Sequence, residues 1–114
     1  MIIQKLDILQ ESGIIDAEVY SYVRSAMDHL QEAGIDVEKR AETFLVHLAM
    51  AAARQKTDEP PIARMDAVVI DQIEQSPQYP HAQAIWEKLE ALSPVPFGAE
   101  ELDYCYLHLC TMLQ

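Results

Sequence analysis

Apolar residues recur along this chain at three-to-four spacing, and the alternating β-branched runs that mark strands are nearly absent. The opening IIQKLDILQESG reads as a short helix stopped by Gly13, a residue that tolerates the left-handed conformation just past a helix end. Asp16 is a good N-cap for a second helix running to about Ala33, with Val19, Tyr20, Val23, Met27 and Leu30 on one face and Gly34 closing it. Asp36 caps a third, to about Gln55, whose stripe is Val37, Ala41, Phe44, Leu45, Leu48, Ala51 and Ala52. The segment KTDEPP is the clearest break, since neither Pro60 nor Pro61 can donate a backbone hydrogen bond, and a long connection is expected there. A fourth helix from about Met65 to Gln75 ends before SPQYP, where Pro77 and Pro80 punctuate the chain. A fifth carries AQAIWEKLEALS, and SPVPFG separates it from a last helix starting near Ala99, with Leu102, Cys105, Tyr106, Leu109, Met112 and Leu113 on one side. The pattern predicts an all-α bundle of about five to six helices.

At 114 residues with half its positions hydrophobic, the chain suits one globular domain spanning 1–114. Eight basic residues against 19 acidic ones leave a net charge of -11, which repels phosphate backbones and argues against direct nucleic-acid binding. Cys105 and Cys110 lie five apart in one helix, pointing their side chains roughly 140° from each other, so they are expected to remain free thiols in a reducing compartment. No apolar stretch approaches the roughly 20 residues that span a bilayer, and MIIQKLDILQ lacks the unbroken apolar segment of a signal peptide. The expected setting is cytoplasmic, away from membranes.

Three His-Leu pairs, at His29, His47 and His108, each place leucine on a buried stripe and histidine at its border. Any residue preceding a stripe leucine lands there, so the wheel alone does not separate a chemical site from a boundary histidine. Neighbours separate them better. His47 lies in line with Arg40 and Arg54, seven residues before and after, and two guanidinium groups there would steady an anion beside the imidazole. His108 has Tyr104 four before it and Glu101 seven before it, an acidic neighbour expected to raise its pKa. His29 has nothing distinctive nearby, and His81 follows a proline at a helix start and is expected to be exposed. Glu101, Cys105 and His108 share helical spacing that would let them ligate zinc, yet no HxxxH, HExxH or CxxC pattern accompanies them, and no metal or other cofactor is assigned. A glycine-rich phosphate loop, a nucleophile elbow and an isolated carboxylate pair are all missing, so an enzyme is not expected.

The stretch FLVHLAMAAAR, with Arg54 seven residues after His47, resembles the first histidine motif of the PTS regulation domain (PRD), the helical module of bacterial sugar-responsive antiterminators and activators. PVPFGAEELDYCYLHL resembles its second motif, with Pro96, the acidic pair Glu100 and Glu101, and His108 seven residues after the glutamate. The 61-position separation of the two histidines and the intervening YPHAQAIWEKLE also suit the family, so the resemblance covers essentially the whole chain. Antiterminator versions often carry an acidic residue where this chain has Val46, and an Asn-Pro where it has Met65-Asp66.

What the resemblance implies is a helical bundle, usually a homodimer, whose two histidines accept phosphoryl groups from the phosphocarrier HPr or from sugar-specific components of the phosphotransferase system. His47 and His108 are then the phosphoacceptors, with Arg54, Arg40 and Glu101 in support, while His29 and His81 match neither motif. The expectation is a stand-alone PRD that acts through a regulatory protein partner in transcriptional control of carbohydrate use. Two alternatives stay open: a helical interaction protein without phosphorylation, and a small metal-binding protein.

Overall fold

The structure is a computed structural model that describes residues 2–56 and 65–113. All regular structure among the described residues is helical: α1 (Ile2–Glu11), α2 (Ala17–Glu32), a π-helical turn (Val37–Ala41) leading into α3 (Glu42–Gln55), α4 (Ala67–Glu74), α5 (Tyr79–Leu92) and α6 (Ala99–Met112). The connection expected at KTDEPP lies outside the described residues.

Local chemistry sets most of these boundaries. Asp16 caps α2 by accepting the Val19 N–H at 2.8 Å, and Asp66 caps α4 by accepting that of Val68 at 2.9 Å. Gly13 and Gly34 sit at φ +79° and +86°, and beyond Gly34 the Ile35 N–H reaches back to the Leu30 carbonyl at 3.0 Å, which ends α2. Two boundaries differ from the sequence reading. Pro80 does not break the chain but sits in the first turn of α5, where a missing N–H has no helical acceptor to lose. The segment after Asp36 begins as one wide turn, and α3 proper starts only at Glu42.

Four helices close a ring in which α2 packs on α3, α3 on α6, α6 on α5 and α5 back on α2; α1 covers the α2–α3 side and α4 lies against α6. The interior is filled by Val19, Val23, Leu30, Phe44, Leu45, Leu48, Trp86, Leu89 and Leu109, all at most 2% exposed. The α3 stripe is buried as expected where it is described, from Val37 to Ala52. On α2 the buried tyrosine is Tyr22 rather than Tyr20: its hydroxyl donates to the Leu89 carbonyl at 3.0 Å and ties α2 to α5, while Tyr20 bonds Asp7 nearer the surface.

Ion pairs fix the directions of neighbouring helices. Lys56, just past α3, reaches Asp16 at 2.9 Å and also Glu18 at the start of α2, so those two helices run antiparallel. The α3–α6 pair is antiparallel too: Arg54 near the end of α3 meets Glu101 near the start of α6, and Arg40 just before α3 donates to the Met112 carbonyl at 3.0 Å. Replacing Asp16 with alanine removes the cap of α2 and one partner of Lys56; a loss of about 1 kcal/mol in unfolding free energy by urea denaturation is expected.

Candidate functional site

The antiparallel pairing of α3 and α6 brings two distant parts of the chain into one cluster. On α3, Phe44, His47 and Arg54 recur at three and seven residues, spacings that keep them along one side of a helix. On α6, Glu101, Tyr104 and His108 do the same. The rings of His47 and His108 are 5.6 Å apart between centroids, His47 lies 5.7 Å from Tyr104, and Phe44 lies 6.1 Å from His108.

Glu101 is the centre of the cluster. It is 1% exposed, and its Oε1 accepts two hydrogen bonds from one guanidinium, Arg54 Nε at 3.0 Å and Nη2 at 2.8 Å. A carboxylate is tolerated in such a place because a planar, permanently charged group neutralises it. The second oxygen, Oε2, faces His47 Nε2 at 3.4 Å; the two atoms are close enough to attract but off hydrogen-bond alignment, and both are sealed from solvent with no other hydrogen-bond partner. Arginine, glutamate and histidine thus form a short polar chain across the α3–α6 seam. Its outer end is the His47 ring, whose side chain is 20% exposed.

Both imidazoles are held toward the neutral form. Burial lowers the His47 pKa most, His108 and Arg54 push it the same way, and Glu101 pulls against them without reversing the result. Burial alone lowers His108. Above the usual histidine pKa of about 6.5, both folded and unfolded chains carry neutral rings. As pH falls below it, the unfolded chain takes up protons that the folded chain resists, so the stability these rings contribute is present above that value and lost toward acid. A falling urea midpoint from pH ~7.5 to ~5.5, with a flatter profile for His47→Gln/His108→Gln, is the expected outcome.

Glu101 does not serve His108: seven residues along a helix is about 10 Å, and the carboxylate turns instead to the facing helix, so His108 is shifted down rather than up. The two arginines do not flank His47 as a pair, because Arg54 is engaged by Glu101 and Arg40 by the end of α6. The apolar side expected of α6 is also displaced. Cys105, Leu109 and Met112 are buried, but so are Glu101, Asp103 and Cys110, whereas Leu102, Tyr106 and Leu113 are only partly covered. The reason is that α6 is packed by α3, α4 and α5 at once, which buries a wider arc than a single stripe.

His29 and His81 stand apart from this cluster. They line a separate groove of about 320 Å³ between α2 and α5, together with Glu32, Ile85 and Lys88. Tyr104 and Phe44 belong to the site although neither was singled out as a functional residue from sequence; the usable signal was their position one turn from a motif histidine. For the metal reading, Cys105 is fully buried with its thiol pushed up by burial, and among the described residues no three histidine, cysteine or acidic side chains converge on one point. Cys105 and Cys110 are both free thiols. Among the described residues no helix is long and apolar enough to cross a membrane. No family model, curated protein or solved structure matches this chain.

Proposed function

We propose that this chain is a PTS regulation domain, a non-enzymatic signalling module that accepts a phosphoryl group on His47 or His108 from HPr or a sugar-specific phosphotransferase component. The observation that supports it is the meeting of the two motif histidines. They are 61 positions apart in sequence, lie on different helices, and stand ring against ring at the rim of the α3–α6 seam. Arg54 and Glu101, also motif residues, join them in the same cluster. Two neutral imidazoles with partial solvent access suit nucleophilic acceptance of a phosphoryl group, since the neutral ring offers a lone pair.

The output of such a module is mechanical and electrostatic. A phosphoryl group brings about -1.5 to -2 charges and strong acceptor oxygens. Placed on His47 or His108, that charge competes with Glu101 for Arg54 and repels a carboxylate that has no access to water. The α3–α6 contact is then the element that responds, and a homodimer or a regulatory partner reading its outer surface would sense the change. The test is direct: incubation with phosphorylated HPr, then peptide mapping under alkaline conditions, should place the label on His47 or His108.

A second reading keeps the bundle and drops phosphorylation. It is favoured by an exposed apolar surface on α4, where Val68 and Val69 are 65% and 37% exposed beside a groove lined by Ile70, Ile73, Leu102 and Tyr106. An interaction protein of that kind would bind its partner equally well with alanine at His47 and His108.

A further inference from the structure

We infer that His47 takes the phosphoryl group on Nδ1, with Glu101 acting as the positioning residue that holds the opposite nitrogen. This rests on the acceptor role proposed above and adds which atom reacts and why.

The two ring nitrogens of His47 have different surroundings. Nε2 is sealed from solvent and faces Oε2 of Glu101 at 3.4 Å. The 20% of the side chain that does reach solvent therefore belongs to the rest of the ring and its stem. A carboxylate is acceptor-only, and Glu101 already receives two N–H groups of Arg54 on its other oxygen. The group it asks of His47 is consequently a third donor. A neutral imidazole meets that demand only as the Nε2–H tautomer, which leaves the lone pair on Nδ1. Burial of Glu101 at 1% exposure makes the arrangement hard to invert, because a lone pair on Nε2 would face an unsolvated carboxylate oxygen.

The transfer step balances without any further reactant. The Nδ1 lone pair attacks the phosphorus of a phosphohistidine on the donor protein and forms the new N–P bond. The donor's N–P bond breaks, and its electron pair returns to the donor's ring nitrogen. The Nε2 proton stays in place, and the positive charge that develops on the His47 ring is met by the Glu101 carboxylate, as in other sites where a buried acid fixes a histidine tautomer. On an unrestrained histidine Nε2 is the less crowded nitrogen, being farther from the main chain, so the Nδ1 isomer is not the default product.

The experiment uses the full chain labelled with ¹⁵N-histidine and phosphorylated separately by phosphorylated HPr and by phosphoramidate, a small donor that needs no protein recognition. The isomer at His47 is read at alkaline pH by ¹H–¹⁵N and ³¹P correlation, and the signal is assigned by its absence in His47→Gln. The expected result is the Nδ1 isomer as essentially all of the His47 product with both donors. The Nε2 isomer from either donor overturns the inference, and so does a complete lack of reaction at His47 with phosphoramidate. An Nδ1 adduct from phosphoramidate with none from HPr supports the atom assignment and rejects HPr as the donor to His47. In Glu101→Gln, whose amide can donate as well as accept, the unphosphorylated ring should show mixed tautomers, and His47 labelling by phosphoramidate should slow about tenfold or more with His108 unchanged. A folded Glu101→Gln chain with an unaltered tautomer and rate overturns the part given to Glu101.

Discussion

Arg54→Met is expected to lower the unfolding free energy by about 3 kcal/mol near neutral pH, the low end of the range for breaking a buried ion pair because the arginine is itself 24% exposed. The loss arises mainly from what remains. Glu101, 1% exposed, would be left as a buried carboxylate with its guanidinium gone. The second substitution Glu101→Met on the same background removes the orphaned charge and should restore most of the loss, since apolar replacement of a buried pair is often neutral. Urea denaturation followed by circular dichroism across pH measures all three chains. Equal destabilisation in the single and double variants would mean that the pair matters through packing, not charge.

The second large effect concerns how many phosphoryl groups the chain holds. Two groups of about -1.5 to -2 charges on adjoining rings repel by several kcal/mol even at an effective dielectric near 20, because the rings are only 5.6 Å apart and Glu101 adds a third negative centre. The wild-type chain should therefore accumulate one phosphoryl group and stop. His47→Ala and His108→Ala should each still accept one on the remaining ring, and the double variant none. Intact-mass spectra of the four chains under alkaline conditions distinguish this from two independent acceptors, which would give a doubly modified wild type.

Much of the fold was legible because each boundary had a local cause. Asp16 and Asp36 precede their helical segments as caps, Gly13 and Gly34 supply left-handed residues, and SPVPFG cannot continue a helix. Reading failed where the deciding contact came from another part of the chain. Tyr20 and Tyr22 lie roughly 200° apart on α2, and it is the packing of α5, whose Leu89 carbonyl accepts the Tyr22 hydroxyl, that makes Tyr22 the buried one. Periodicity placed His47, Arg54, Glu101 and His108 at helix borders, yet one helix cannot reveal what it packs against. Spacing along α6 alone points Glu101 to His108 on its own helix, whereas the buried carboxylate answers Arg54 and His47 on α3. The paired motifs, rather than the wheel, single out His47 and His108, whose rings lie 5.6 Å apart.

The most direct test of the acceptor role is the mass of the intact purified chain after incubation with phosphorylated HPr and, in parallel, with a phosphorylated sugar-specific transport component, all kept alkaline. A gain of one phosphoryl group that disappears in His47→Ala/His108→Ala is the predicted result. An unchanged mass with every donor, or a gain that survives in the double variant, would contradict it.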